Sequence, residues 1–184
     1  MSDVKHVVLG VTGGIAAYKA ADLTSKLTQL GIVVHVVMTE AATKLVTPRT
    51  FQTLSRQPVT TSLWEVQDWR PEHVELGQLA DLMVIAPCTA NMMGKIAHGI
   101  ADDALSTCVL ANRAPLMLAP AMNPAMWQNP AVQDNAELLR KRNIKLIGPA
   151  EGHVACGPGG TGRMVEVAEL VNEICKVLDI NTGE

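Results

Sequence analysis

The sequence predicts an α/β fold in which one doubly wound parallel sheet forms a single domain. Short apolar runs alternate along the chain with longer segments of helical periodicity, which is typical of parallel strands joined by crossover helices. The runs are nearly continuous in apolar character and do not alternate regularly with polar residues, as in strands covered on both faces. A length of 184 residues suits one domain with a substantial core.

Apolar runs mark the predicted strands. In chain order they are HVVLGV at 6–11, VVHVVM at 33–38, LMVIAP at 82–87, PLMLAP at 115–120 and IKLIGP at 144–149. Ligands of open α/β sheets bind beyond the carboxyl ends of the strands. We therefore expect the functional residues in the segments that directly follow these runs.

The segments between the runs predict helices. The first helix has an apolar stripe that ends at Gly31 and consists of Ala16, Ala20, Leu23, Leu27 and Leu30. Further helices are predicted at 88–98, 101–111 and 130–142. The last helix carries on one face Val167, Leu170, Val171, Ile174 and Leu178. The polar segment 55–73 is the least regular part, and the whole pattern favours a Rossmann-like (flavodoxin-like) sheet.

Composition excludes several functional classes. A net charge of -3 and a pI of about 5.9 give no support for nucleic-acid binding. No apolar run approaches the roughly 20 residues that span a membrane, and the N-terminus does not resemble a secretory signal. We therefore expect a cytoplasmic protein with reduced thiols.

The cysteines fall into two groups. None of the four forms a C-x-x-C pair, so the sequence does not favour a zinc site. Cys88, Cys108 and Cys175 lie in apolar segments and are predicted to be packing residues. Cys156 differs because it lies in the glycine-rich stretch EGHVACGPGGTGRM, which predicts a loop.

The stretch GVTGGIAAYKA after the first strand predicts an anion-binding turn. Gly13 and Gly14 allow the backbone to approach a ligand, and the following helix offers free N–H groups. The P-loop pattern is absent, and Thr12 stands where the dinucleotide fingerprint has its second glycine. Glu40 after the second strand could hold a ribose, so a dinucleotide stays open, as does a simple tight turn.

Polar residues also follow the second and third strands. Thr39 ends the second strand, and Thr89 and Asn91 follow the third. Helix capping alone would explain each of them. Because these strand ends face one crevice, together they favour a phosphorylated ring cofactor.

Four stretches carry a resemblance to a known family: GGIAAYK, HVELGQLADLMVIAPCTANMMGKIAHGIADD, APAMNPAMW and ACGPGGTGRM, in this order over almost the whole chain. With them the chain resembles the flavin-dependent cysteine decarboxylases, most of all those that act on 4'-phosphopantothenoylcysteine in coenzyme A synthesis. The resemblance implies an FMN cofactor and one flavoprotein decarboxylase domain over 1–184, with a flexible end at 179–184. It implies a carboxy-lyase that oxidises the substrate at the carbon bearing the thiol, releases CO₂ and then reduces the intermediate to 4'-phosphopantetheine.

The resemblance also implies roles for individual residues. His73 corresponds to the catalytic histidine, Cys156 to the proton-donating cysteine and Asn123 to the residue that holds the substrate carboxylate. Met122 and Ala155 are expected beside the substrate. The segments expected to bind FMN contain Gly13, Gly14, Ile15, Thr39, Thr89, Ala90, Asn91, Met92 and Ser106. Pro158 departs from the family, where the residue after ACG is often acidic.

Several alternatives stay open at this point. A peptidyl-cysteine decarboxylase would share the flavin, the histidine and the asparagine but stop at the enethiol. A flavin prenyltransferase of the same superfamily lacks the histidine–cysteine pair, and a regulatory flavoprotein would bind a partner enzyme. We expect a homo-oligomer, a trimer or a dodecamer of trimers, with a small-molecule substrate. Trp64 and Trp69 in 55–73 suit an interface.

Overall fold

A computed structural model describes residues 4–64, 72–152 and 159–180, with the backbone alone for residues 72–74. It contains a parallel sheet with helices on both faces, as the sequence predicts. The strands are β1 (His6–Val11), β2 (Val33–Met38), β3 (Val59–Thr60), β4 (Leu82–Cys88), β5 (Leu116–Pro120) and β6 (Lys145–Leu146).

The strand order in this sheet is β3-β2-β1-β4-β5-β6, and every neighbouring pair is parallel. This is the order of the Rossmann fold, in which the chain changes direction across the sheet between β1 and its neighbour β4. Leu9 of β1 lies opposite both Val36 and Val84, so β1 is fully enclosed. The segments after β1 and β4 therefore flank the switch point where ligands of such sheets bind.

Helices connect and cover the strands. They are α1 (Ala17–Gln29), α2 (Glu40–Thr43), α3 (Pro48–Ser55), α4 (Glu72–Leu79), α5 (Ala90–His98), α6 (Ala104–Ala111), α7 (Pro124–Trp127), α8 (Pro130–Lys141) and α9 (Val167–Val177). Gly31 adopts φ 78° just after α1, a left-handed conformation that favours glycine and ends the helix as predicted.

Each face of the sheet has its own core. On one face Leu9 and Val36 pack with Leu23 of α1 and Ile174 of α9. On the other face the core lies between the sheet and α5, α6 and α8, and its buried members include Val8, Met83, Ile85, Met93, Leu105 and Leu139. Neighbouring residues of a strand point to opposite faces, so a strand between two cores must be apolar at every position.

Several predicted boundaries were wrong. Cys88 belongs to β4, so the helix predicted at 88–98 begins at Ala90. The run predicted at 144–149 pairs only at Lys145 and Leu146, because Gly148 adopts φ 84° and Pro149 has no N–H for the ladder. Leu30 at the end of the first stripe is 40% exposed and does not enter the core.

The structure adds elements that the sequence did not predict. The helices α2, α3 and α7 were missed, and the short edge strand β3 lies inside the segment predicted to be irregular. The glycine-rich loop is flanked by an antiparallel pair, β7 (Ala150–Gly152) and β8 (Gly160–Arg163). The flexible end predicted at 179–184 extends beyond the described residues and stays a prediction.

The three predicted packing cysteines are free and buried. Burial raises the pKa of the Cys88 thiol well above its usual range, raises that of Cys108 to about 12 and also raises that of Cys175. Such thiols stay protonated and unreactive at neutral pH. In the described parts of the chain, no helix is both long and apolar enough to cross a membrane.

Candidate active site

A cavity of about 610 Å³ opens at the carboxyl edge of the sheet, beside the switch point. This size is ordinary for a small-molecule or cofactor site. Its walls come from the segments after β1, β2, β4 and β5 and from one side of α5 and α6. The lining residues are Thr12, Gly13, Gly14, Thr39, Glu40, Ala41, Thr89, Ala90, Asn91, Met92, Lys95, Asp103, Ala121, Met122 and Met126.

Gly13 lies where the segments after β1 and β2 come closest. A Cβ built on Gly13 would lie 2.4 Å from the Cβ of Ala41, a distance that real Cβ atoms do not reach. Gly14 closes the turn by donating its N–H to the Thr12 carbonyl at 2.9 Å. Gly13 is therefore required for the close packing of the two segments at the cavity wall, whereas a Cβ on Gly14 would make only ordinary contacts. Anion binding by this turn stays a prediction.

Thr12 was noted in the sequence only as a departure from the dinucleotide pattern, and the structure gives it a role. Its buried hydroxyl donates to the Pro87 carbonyl at 2.7 Å and accepts from the Thr89 N–H at 3.1 Å. One side chain thus fixes the turn after β1 against the start of α5. A glycine at this position could not join the two segments.

Thr39 and Thr89 each cap a helix at the cavity. Thr39 accepts from the Ala42 N–H at 3.2 Å, and Thr89 accepts from the Met92 N–H at 3.4 Å. Capping is therefore confirmed for both residues. A hydroxyl that accepts a capping bond still carries a hydrogen that it can donate. Both side chains line the cavity, so each can donate to a bound phosphate or hydroxyl group.

The cavity wall carries a charged group, Lys95 with Asp102 and Asp103, that the sequence analysis did not predict. The Nζ of Lys95 lies 2.6 Å from a carboxylate oxygen of Asp102 and 2.6 Å from one of Asp103. Burial opposes the charge of Lys95, but the hydrogen bonds that Lys95 donates to both carboxylates raise its pKa. The hydrogen bond from Lys95 lowers the pKa of Asp102. The i, i+4 spacing of Asn91 and Lys95 was the available signal, because it places both on one face of a helix.

Two predicted cofactor residues lie away from this cavity in the described structure. Ile15 is 65% exposed and is not part of the lining. Ser106 is buried, and its hydroxyl completes a capping box with Asp103 at the start of α6. Ser106 lines a separate cavity of about 330 Å³, which it shares with Lys95 and Arg142.

The substrate segment lies between the cavity and the β7–β8 pair. Met122 lines the cavity, and its N–H donates to the Gly162 carbonyl of β8 at 2.9 Å. Asn123 is exposed, and its side-chain oxygen accepts from the Ala125 N–H at 2.8 Å, which caps α7. Asn123 thus forms an Asx-type turn before Pro124.

The remaining predicted site residues fall outside what the structure describes. Ala155 and Cys156 lie in the undescribed stretch between β7 and β8. The backbone of His73 belongs to the first turn of α4, but its side chain is not described. The structure therefore brings together the glycine turn, the capping threonines, Asn91 and Met122. The positions of the two proton-transferring side chains stay predictions.

Comparison with known proteins identifies the family to which this chain belongs. The sequence profile described as Flavoprotein matches residues 1–179. The chain belongs to the Flavoprotein family. The segments that line the cavity thus lie within a domain of that family.

Curated relatives match over most of this chain but over less than half of their own length. The coenzyme A biosynthesis bifunctional protein CoaBC of Vibrio vulnificus (strain YJ016) is 46% identical over 168 residues, which cover 91% of this chain and 42% of that protein. The CoaBC protein of Bacillus subtilis (strain 168) is 47% identical over 172 residues, covering 93% and 42%. The chain thus spans about 42% of the length of these relatives.

Solved structures extend the likeness to the fold. A cysteine-to-serine mutant of PPC decarboxylase complexed with pantothenoylaminoethenethiol has a TM-score of 0.85 at 31% identity, covering 96% of this chain and all of that one. The FMN-dependent cysteine decarboxylase SpaF has a TM-score of 0.82 at 34% identity, covering 96% of this chain and 98% of its own. The peptidyl-cysteine decarboxylase EpiD, at 21% identity and a TM-score of 0.80, shares the fold.

Proposed function

We propose that this chain is an FMN-dependent carboxy-lyase that converts 4'-phosphopantothenoylcysteine to 4'-phosphopantetheine in coenzyme A biosynthesis. The observation that carries the proposal is the similarity over nine-tenths of the chain to CoaBC proteins, at 46% and 47% identity. The match in fold to a PPC decarboxylase supports the same reaction class. The remaining length of the CoaBC relatives lies outside the proposal.

The residues of the cavity fit an FMN molecule. Gly13 and Gly14 line the cavity without side chains, and Thr39 and Thr89 supply hydroxyl donors on the same wall. The N-terminus of α5 adds N–H groups that favour an anion. Met92 and Met122 provide the apolar, polarisable surface that a flat ring requires.

The proposed chemistry divides between the cofactor and the chain. FMN supplies the hydride chemistry at the substrate carbon that bears sulfur. His73 is the base that removes the thiol proton, since a histidine with a pKa near 6.5 suits proton transfer at neutral pH. Oxidation at this carbon gives a C=S group β to the carboxylate, and this group accepts the electron pair when CO₂ leaves.

Asn123 acts before CO₂ leaves, and Cys156 acts after it. The neutral amide of Asn123 orients the carboxylate without binding it as strongly as an arginine would, because ground-state binding does not accelerate its loss. Cys156 then donates a proton to the enethiolate, and the hydride that completes the saturated thiol would come from the reduced FMN. A thiol with a pKa near 8.5 is protonated at pH 7 and still a usable acid.

Two other activities are tested against this one. A peptidyl-cysteine decarboxylase would accept a peptide that ends in cysteine and would release an enethiol. A regulatory flavoprotein would bind FMN and a partner enzyme without turnover. The identity to CoaBC proteins favours the small-molecule substrate over both alternatives.

We also propose that the protein is a homo-oligomer, either a trimer or a dodecamer of trimers. Several large apolar side chains are exposed in the single chain, among them Ile15, Tyr18 and Met126, of which Met126 lines the cavity. Trp64 is 89% exposed. Exposed apolar side chains of this size suit contacts with further copies of the chain.

The test of the proposed function is turnover with a panel of substrates. The purified protein, loaded with FMN, is incubated without oxygen with 4'-phosphopantothenoylcysteine or with a peptide ending in cysteine, and CO₂ release is measured. We expect CO₂ from the first substrate alone and a yellow protein that releases FMN on denaturation. Release from the peptide would support the alternative decarboxylase, and FMN binding without any turnover would support the regulatory role.

A further inference from the structure

The ion-paired cluster of Lys95, Asp102 and Asp103 lies on the wall of the cavity proposed to bind FMN. Lys95 and Asp103 both line this cavity. The side chain of Lys95 is only 15% exposed, and its Nζ bridges the two carboxylates at 2.6 Å each. The cluster holds one cation and two carboxylates, so its net charge is negative.

Local structure fixes this cluster firmly. Asp103 caps α6 by accepting from the Ser106 N–H at 2.7 Å, and the Ser106 hydroxyl accepts from the Asp103 N–H at 3.1 Å. Lys95 belongs to α5, whose N-cap residue, Thr89, lines the cavity. The lysine therefore joins the middle of one cavity helix to the start of another, and its charge cannot move away without breaking two ion pairs.

We propose that Lys95 and Asp102 are positioning residues that set the reduction potential of the bound FMN. The inference rests on the proposed function in one respect, that FMN occupies this cavity. Two-electron reduction adds negative charge to a flavin at neutral pH, so nearby carboxylates weaken binding of the reduced form and a nearby cation strengthens it. In a partly buried site such an effect is screened less than at an open surface. The balance within the cluster therefore controls how readily the cofactor accepts and returns electrons.

Single substitutions shift that balance in opposite directions. Lys95→Met keeps the aliphatic stem but leaves two carboxylates without their cation, so the potential should fall. Asp102→Asn is nearly isosteric at an exposed position that does not cap the helix, so the potential should rise. We expect each shift to correspond to a change of about tenfold in the ratio of reduced to oxidised FMN affinities. For a two-electron couple this is about 30 mV.

Combinations separate charge from packing. Lys95→Met with Asp102→Asn has the same net charge as the parent, so its potential should return towards the parent value. Lys95→Arg keeps the cation and should also stay near the parent. Matched controls remove one partner of an ion pair far from the cavity: Lys176→Met, whose partner is Glu173, and Glu137→Gln, whose partner is Lys141. Neither control should shift the potential.

The experiment is an anaerobic potentiometric titration of each FMN-loaded variant, with the FMN dissociation constant measured separately by fluorescence. Opposite shifts for the two single variants, with the double variant between them, would support the inference. Equal potentials in Asp102→Asn and the parent would overturn it, even if Lys95→Met fails to fold. A parent protein that does not bind FMN would overturn the proposed function and this inference together, whereas normal FMN binding with unshifted potentials would overturn the inference alone.

Discussion

Gly13 is the residue whose side-chain size matters most for the cavity wall. The added Cβ of Gly13→Ala would meet the Cβ of Ala41 at 2.4 Å and the Ala41 backbone at 3.1 Å. The segment after β2 would have to move, at a cost of about 1–3 kcal/mol. Because 1.4 kcal/mol is tenfold in affinity, we expect FMN binding to weaken by roughly tenfold or more.

Gly94→Ala is the matched control for this substitution. Its added Cβ would meet only the Asn135 amide nitrogen at 3.6 Å, which is an ordinary contact. Gly94 lies inside α5, where alanine is favoured over glycine by about 1 kcal/mol. FMN titrations followed by fluorescence should show parent affinity for this variant. If the Gly13→Ala variant also bound FMN with the affinity of the parent protein, the glycine turn would not form the wall of the cofactor site.

His35 gives the protein a pH-dependent stability. Burial lowers the pKa of His35, the neighbouring His6 lowers it further and Glu75 opposes both. The His6 Nδ1 lies 3.2 Å from the His35 Nε2, and the two rings are stacked. The folded state therefore disfavours the protonated form, whereas the unfolded state binds a proton near pH 6.5. The stabilising contribution is complete above that pH and is lost as the pH falls through the folded pKa.

We expect the free energy of unfolding to decrease as the pH falls from about 7.5 to about 5.5. This decrease should be smaller in the His35→Gln variant. His6→Gln removes the charge interaction with His35 together with the ring contact but leaves His35 in place, so it should reduce the pH dependence by less, because burial is the larger cause. Urea unfolding at both pH values measures this. The same pH dependence in all three proteins would contradict the assigned cause.

Among the elements, α4 is held in place by a glycine. A Cβ on Gly77 would lie 2.9 Å from the Ala111 carbonyl oxygen at the end of α6. Gly77→Ala should therefore displace α4 and destabilise the protein by about 1–3 kcal/mol. Because His73 lies one turn earlier on the same helix, CO₂ release should fall more than FMN affinity does. Gly94→Ala again serves as the control, and unchanged unfolding and turnover in Gly77→Ala would show that α4 tolerates the shift.

Some of the strands and helices could be predicted from the sequence and others could not. Nearly continuous apolar runs such as 6–11 and 33–38 predicted buried strands correctly, because a strand between two cores has few polar positions. The helix α3 was missed because its eight residues, PRTFQTLS, offer little more than one apolar anchor, the buried Phe51. Pro48 at its first turn after Thr47 was the readable signal.

The candidate site divides in the same way between what sequence predicts and what it cannot. Gly13, Thr39 and Thr89 were predicted because strand ends of a parallel sheet share one edge, and these side chains line one cavity. Lys95 and Asp103 were missed because their pairing depends on how α5 and α6 pack; the spacing of Asn91 and Lys95 indicates a shared helix face but not this ion pair. Ser106 was expected at the flavin through the family resemblance, whereas its buried hydroxyl caps α6.

At the scale of the whole molecule, we expect assembly. Ile15, Tyr18 and Met126 are exposed in the single chain, and large exposed apolar side chains favour contacts between copies of the chain. Light scattering at several concentrations should give the mass of a trimer or of a dodecamer of trimers. Tyr18→Lys should shift the protein towards smaller species while thermal unfolding of the single chain is retained. A monomer at all concentrations would contradict the proposed assembly.

The central claim is that one protein oxidises, decarboxylates and then re-reduces its substrate, and the mass of the product tests it most directly. The FMN-loaded parent should convert 4'-phosphopantothenoylcysteine to the saturated thiol without oxygen. Cys156→Ser should release CO₂ but accumulate a product two hydrogens lighter, because a serine hydroxyl is a far weaker acid than a thiol. The His73→Asn variant should release no CO₂, because the substrate thiol is not deprotonated for oxidation. An unsaturated product from the parent, or saturated product from Cys156→Ser at the parent rate, would contradict the claim.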